Sequence, residues 1–183
     1  MSNTNPKTEA VPSLQNENPC RSIRLEKVVV NIGVGSSGER LEKAKNVLKK
    51  ITDATPSERK AVDTIREFNV TKNDPIAVMA TLRRKRAETF LRTALKAVGN
   101  KLQASSFSGR TFSFGIKEHI TIPGIRYDPA VGVYGMDVCV VLERPGYRVT
   151  RRRRKRSKIG KGHEISTEES IGFVKTAFEV EVS

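Results

Sequence analysis

Apolar and polar positions divide the chain into strands, two amphipathic helices between them, and a helix near its end. Val28, Val29 and Val30, followed by Ile32 and Val34, predict a strand, since β-branched side chains suit a pleated surface. After a glycine turn the spacing becomes helical from Glu39 to Ile51. Leu41, Ala44, Val47/Leu48 and Ile51 share one side there, and Lys43, Lys45, Lys49 and Lys50 lie mostly off it. Beyond Pro56, Glu58–Val70 reads as one or two strands ending in Ile65, Phe68 and Val70, and Asn73-Asp74-Pro75 signals a turn. Ile76–Leu82 predicts a further strand. Lys85–Val98 predicts a second helix, with Phe90, Leu91, Ala94, Leu95 and Val98 as its buried stripe and Gly99 as its stop. Thr111–Ile116 and His119–Ile122 are short and strand-like, and Pro123-Gly124 breaks them off. Met136–Glu143 is a strong strand stopped by Pro145-Gly146. Ser166 with Glu169 has the pattern of a capping box, opening a last helix that carries Ile171, Val174 and Phe178.

Turns rather than crossover helices join several of these strands. The expected fold is therefore α+β: a single domain with a mainly antiparallel sheet, helices packed on one face and the other face open. A chain of 183 residues is long enough for one such core. Residues 1–20 are polar with three prolines and no apolar stretch, which predicts a flexible tail rather than a signal peptide. Residues 21–183 make up the domain. No apolar run approaches membrane-spanning length. Cys20 and Cys139 are too distant in sequence to suggest a redox or metal pair, which fits a reducing compartment.

Charge narrows the function. Against 20 Asp and Glu stand 34 Lys and Arg, a net +14 that favours a polyanion, most commonly nucleic acid. An anionic membrane would call for a basic helix with a broad apolar face, and the densest basic run has none. That run spans residues 151–163 and holds eight Lys and Arg with no acid. Arg151, Arg152, Arg153, Arg154, Lys155 and Arg156 read as an extended, self-repelling loop that meets RNA phosphate. A nuclear-localisation signal or a plain solvated loop are the alternatives, although solvated faces ordinarily mix signs.

The glycine turn suggests a different chemistry. Gly33, Gly35 and Gly38 spell G-x-G-x-x-G between a strand and a helix, the dinucleotide fingerprint. Such a fold needs a second parallel strand soon afterwards, ending in an acid that holds the ribose. Asp53 and Glu58 are near the right distance, but the residues between them form no apolar strand. The glycines then let the chain leave its strand and approach a ligand closely. Other catalytic readings fail as well. His119 and His163 have no Cys or acid at ligand spacing, there is no G-x-S-x-G or P-loop lysine, and Ser36-Ser37 read as a helix cap. The chain reads as a binder, with no metal, cofactor or small-molecule substrate expected.

Alternation sorts the strand faces. Val28, Val30 and Ile32 oppose Val29 and Asn31; Ala80 and Leu82 oppose Thr81 and Arg83; Arg66, Phe68 and Val70 fall together. With the aliphatic set under the helices, Asn31, Arg66, Phe68, Thr81 and Arg83 occupy the open face, bordered by Lys27, Gly33, Gly35 and Arg84. Asn and Thr supply hydrogen bonds to sugars and bases, an exposed Phe stacks, and Arg meets phosphate. The bland alternative makes Phe68 core and lets Asn31 satisfy its own backbone.

KVVVNIGVG, ATLRRKR, FGIKEHITIPGIRYDP and GMDVCVVLERPGYRV together resemble the large-ribosomal-subunit protein family numbered five, which binds 5S rRNA. The resemblance runs from about Arg21 to the end. The basic segment after Arg148 and the last helix resemble the archaeal and eukaryotic branch. It implies a cytoplasmic ribosomal protein of the central protuberance, with partners 5S rRNA, 23S-type large-subunit rRNA, small-subunit protein thirteen across an intersubunit bridge, and P-site tRNA. Asn31, Phe68 and Thr81 match the family's RNA-face positions. The tRNA-facing loop falls at Thr71, Lys72, Asn73 and Asp74, and the bridge surface around residues 123–135. Many members carry Gly-Gln where this chain has Asp53-Ala54, so one hydrogen-bonding side chain is missing. The expected role is structural, docking 5S rRNA, with Arg83, Arg84 and residues 151–158 attracting phosphate. A general RNA- or DNA-binding module is the alternative, with a dinucleotide enzyme behind it.

Overall fold

The computed structural model describes residues 18–125, 127–129 and 131–183. The expected tail thus lies outside the described residues as far as residue 17. In chain order the elements are β1 (Arg24–Gly33), α1 (Glu39–Thr52), β2 (Ser57–Lys60), β3 (Pro75–Leu82), α2 (Arg84–Ala97) and β4 (Lys101–Leu102). β5 (Phe107–Ser108), β6 (Thr111–Ile116), β7 (Met136–Glu143), α3 (Thr167–Phe178) and β8 (Glu181–Val182) follow. Six strands form one sheet in the order β2-β3-β1-β7-β6-β5, every neighbouring pair antiparallel. β4 and β8 form a small parallel pair that ties down the C-terminal residues.

β1 is the centre. Its neighbours β3 and β7 both run against it, so they are parallel to each other with β1 between them. β2, on the far side of β3, runs parallel to β1. The units β1-α1-β2 and β3-α2-β7 are therefore two interlocked split β-α-β motifs, extended at one edge by the β5–β6 hairpin. No strand lies parallel beside β1, so the glycine turn after it is not the first turn of a dinucleotide fold.

Val28, Val30 and Ile32 of β1, Val78 of β3 and Val138 and Val140 of β7 are fully buried. Over them α1 contributes Leu41, Ala44, Val47 and Leu48, and α2 contributes Ala87, Phe90, Leu91, Ala94 and Leu95. Each helix ends as its residues dictate. Gly99, with φ +73°, donates its N–H to Lys96 O at 3.0 Å after α2. Asp53, standing where the resembled family often has glycine, takes the same left-handed conformation (φ 49°) and donates its N–H to Lys49 O, so an acid does the work of a C-terminal glycine. α3 starts with the predicted capping box of Ser166 and Glu169.

Three local expectations give way. Ser36-Ser37 do not cap α1: its N-cap is Gly38 at φ +100°, with no side-chain cap bond, and Glu39 and Glu42 complement the first turn instead. His119–Ile122 is no strand, because His119–Thr121 forms a 3₁₀ turn. Of Glu58–Val70 only the first residues belong to a strand. Ala61 donates its N–H to Asp74 O and Asn73 donates to Ala61 O, which closes the segment on itself and denies it to the sheet. Arg66–Phe68 is a 3₁₀ turn, and Asn69 follows at φ 52°. Arg66, Phe68 and Val70 therefore share no strand face: Val70 is buried and Phe68 is 71% exposed.

Candidate nucleic-acid interface

Strand register sets the open face in rows. Ser57, Met79, Asn31, Asp137 and Gly115 stand side by side across five strands; Thr81, Val29, Cys139 and Ser113 form the next row, and Arg59, Ala77 and Gly33 a third. Asn31 and Val29 are half-buried among their neighbours, whereas Thr81, Asp137, Cys139 and Ser113 are exposed. Nothing among the described residues covers this face. β1 and β3 carry no aromatic residue, so the central strands offer hydrogen bonds and small apolar surfaces rather than stacking rings. Asn31, Thr81 and Lys27 lie where the alternation put them, and Gly33 ends β1 at the same surface.

The arginines gather at the end of the face where β1 begins. A bulge between Leu25 and Lys27 leaves Glu26 buried. Arg151 pairs with Glu26 through one nitrogen and with Glu143 through the other at 2.8 Å. Arg24 also reaches Glu143, at 2.9 Å, and Arg83 lies 3.9 Å from Glu26. Arg151 and Arg83 were expected as free phosphate contacts; both are partly neutralised because the bulge and the end of β7 put carboxylates beside them. Arg84 has no ion pair among the described residues, and its φ of 56° turns the chain sharply from β3 into α2.

Arg144, almost wholly buried, holds the C-terminal segment in place. Its guanidinium donates to Arg21 O at 3.1 Å, His163 O at 3.3 Å, Glu164 O at 3.2 Å and the Glu169 carboxylate at 2.7 Å. The Glu169 carboxyl is held below its ordinary range, first by the Ser166 N–H it accepts and then by Arg144. The basic run is accordingly bent rather than extended. Arg151 and Arg152 both donate their N–H groups to Arg148 O, Arg152 Nε donates to Lys155 O at 2.6 Å, and Lys155 has φ 51°. Arg152, Arg153, Arg154, Lys155, Arg156 and Lys158 remain exposed, and none forms an ion pair among the described residues. Sequence reading missed Arg24, Glu26, Glu143 and Arg144. The bulge that brings the first three together leaves no mark in the hydrophobic pattern.

At the opposite end, the β2–β3 loop folds against the glycine turn. Phe68, Val62 and Ile65 are exposed there and line a cavity of about 520 Å³ with Val34, Gly35, Ser36 and Arg40. Phe68 and Arg66 thus flank the sheet face from a loop instead of lying on it. Thr71–Asp74 is a preformed turn: the Asp74 carboxylate accepts the Thr71 hydroxyl and N–H, which hold it below its ordinary range, and Lys72 N–H donates to Thr64 Oγ1 at 3.0 Å. Asn73 takes φ 74°.

The histidines serve the fold. His119 Nδ1 accepts the Tyr134 N–H at 3.2 Å, and His163 Nε2 lies 3.0 Å from Pro145 O. Among the described residues no three His, Cys, Asp or Glu side chains come together as a metal cluster would require. No described helix is long and apolar enough to cross a membrane.

Similarity to known proteins agrees with this geometry. Residues 18–70 match the family described as ribosomal protein L5, and residues 75–173 match the C-terminus of the same ribosomal family. The chain belongs to the ribosomal protein L5 family. The large ribosomal subunit protein uL5 of Pyrobaculum aerophilum is 53% identical over 165 residues, covering 90% of this chain and 92% of its own. Its counterpart in Sulfurisphaera tokodaii is 53% identical over 170 residues, covering 92% and 96%. That of Archaeoglobus fulgidus is 47% identical over 161 residues, covering 88% and 90%. As a member of this family the chain is a structural constituent of the large ribosomal subunit, within the cytoplasmic translation machinery. Its relatives carry the names of ribosomal proteins, not of enzymes.

Proposed function

We propose that the open sheet face docks 5S rRNA into the large subunit. The observation that carries the proposal is the placing of Asn31 and Thr81, in adjacent rows on paired central strands, on an uncovered face backed by helices. Asn31 and Thr81 supply hydrogen bonds to sugars and base edges, and Gly33 and Gly35 let the RNA backbone come close. Lys27, Arg84 and the exposed part of Arg83 attract phosphate, as does the bent segment from Arg152 to Lys158. Arg151 mainly fastens that segment to Glu26 and Glu143. Phe68, with Arg66, offers a stacking surface from the β2–β3 loop. Family membership supports three further contacts: large-subunit 23S-type rRNA, P-site tRNA at Thr71–Asp74, and small-subunit protein thirteen around residues 123–135.

Filter binding tests the docking face, using purified protein and 5S rRNA with tRNA and random RNA of equal length as competitors, at two salt concentrations. 5S rRNA is expected to withstand competition at the higher salt. Asn31→Ala and Thr81→Ala should weaken 5S rRNA more than random RNA, while Arg84→Ala should weaken both alike. Equal losses from the two kinds of change would remove the sheet face from the account.

A further inference from the structure

Asp137 is an anion in the middle of a face assigned to a polyanion. The nearby acids differ from it: Glu143 is gripped by Arg24 and Arg151, and Glu26 by Arg151 and Arg83. Asp137 is exposed and has neither an ion pair nor a hydrogen bond among the described residues. In water such a carboxylate is fully solvated and costs the free protein nothing. Once RNA covers the face it loses that water and meets phosphate repulsion, unless the RNA itself supplies hydrogen-bond donors. Phosphates only accept and a ribose 2′-hydroxyl offers a single donor, so the donors that come in adjacent pairs for both carboxylate oxygens are the amino and imino groups of bases.

The surroundings fit a base. Asp137 stands directly between Asn31 on β1 and Gly115 on β6. Gly33, Gly115 and Gly135, with Lys117 and Met136, line a depression of about 530 Å³ beside it. At Gly135 a side chain would be crowded, since a Cβ there would come within 3.1 Å of Lys117 O; at Gly115 a Cβ would meet Asp137 Oδ1 at an ordinary contact distance of 3.8 Å. Directly opposed residues of an antiparallel pair hold their side chains about 5 Å apart, so the Asn31 amide and the Asp137 carboxylate reach a single planar ligand together.

The donor pattern selects the base. Guanine alone presents two adjacent donors, N1–H and the 2-amino group, for the two carboxylate oxygens, with O6 beside them for an amide N–H. Adenine turns its N1 lone pair towards the carboxylate. Cytosine sets an acceptor next to its amino group, and uracil flanks its single N–H with two carbonyls. We propose that Asp137 and Asn31 form a reader for one unpaired guanine, seated in the glycine-lined depression of the sheet face. The site rests on the reading of that face as an RNA surface and adds base identity to it.

The test uses the full, ¹⁵N-labelled chain and three hexauridylates that carry a central guanosine, adenosine or inosine. Fluorescence anisotropy gives affinity, and amide shifts of β1, β6 and β7 give location. The guanosine oligomer should bind about tenfold more tightly than the adenosine one, a bidentate base contact's discrimination. Inosine, which lacks the 2-amino group, should fall between them. Asp137→Asn, with its fold verified by circular dichroism and thermal melting, should erase the preference and bind the adenosine oligomer at least as well as the wild type. Equal affinity of the wild type for all three oligomers, absence of binding up to millimolar included, overturns the guanine site; so does a guanine preference that survives in Asp137→Asn. If β1, β6 and β7 amides stay still while 5S rRNA binds elsewhere, the RNA-face reading itself fails. Shifts on those strands that ignore base identity remove the guanine site alone.

Discussion

His119 shows how one residue can have a definite role that sequence does not announce. It is 3% exposed, its Nδ1 accepts the Tyr134 N–H, and Val47, Ile51, Ile125 and Val131 lie around it with Lys50 and Asp128. Burial pushes its pKa below the ordinary histidine value, against the weaker upward pull of Glu118. The folded ring therefore takes up its proton at a lower pH than the unfolded chain, whose histidine protonates at about pH 6.5. Stability from this source is complete above about pH 6.5 and is lost as the pH falls from there through the lower folded value. Urea unfolding at pH 7 and pH 5 should show a decline in the wild type. His119→Asn, which keeps an acceptor near the position of Nδ1 and cannot titrate, should decline less. A parallel decline in the two proteins would take the effect away from His119. No sequence signal marks this burial, because a lone polar residue in a short irregular segment has no periodic signature.

At the scale of elements, the sheet and helices were legible because each carries one dominant period. β1, β3, β7, α1 and α2 begin and end within a few residues of the positions their apolar spacing predicts. The β2–β3 segment was not legible: its apolar residues Ala61, Val62, Ile65, Phe68 and Val70 keep no regular period, and the bonds of Ala61 with Asn73 and Asp74 and of Ile65 with Val70 fold it onto itself. Tertiary partners decided that region, as they often do where β-propensity is weak. The segment after β7 is held by Arg151 and by two buried side chains, Tyr147 and Arg144, the last of which crosses to the N-terminal residues and to the start of α3. Arg144→Met should cost about 2–4 kcal/mol, since it leaves three partly buried carbonyls without their donor and releases Glu169. Urea unfolding measures that loss, and limited trypsin digestion should cut between Arg151 and Lys158 faster in the variant than in the wild type. Unchanged cleavage would mean that Arg151, Tyr147 and the loop's own turns hold it without Arg144.

At the scale of the whole molecule, charge and topology divide the work of binding. The net charge of +14 gives attraction without sequence, and the rows of the sheet give geometry without much charge. If roughly 6–10 phosphates are neutralised, affinity for any RNA should fall by about 10³–10⁵ between 50 and 200 mM salt. A flat response in a salt titration would remove the electrostatic half of this division. Composition announced the charge, and alternation placed Asn31 and Thr81. Asp137 was not singled out in sequence: it is exposed on β7, and its importance lies in the absence of a cation beside it among the described residues, which only the folded arrangement reveals. That arrangement joins distant parts of the chain: the strand made first is flanked in the sheet by β7, one of the last to be made. During synthesis, Asn31 emerges early and has no Asp137 beside it until residues 136–143 have been added and paired. With the proposed docking role, the open face becomes a record of completion, since a chain abandoned before β7 lacks the strand that carries Asp137 and Cys139 on that face.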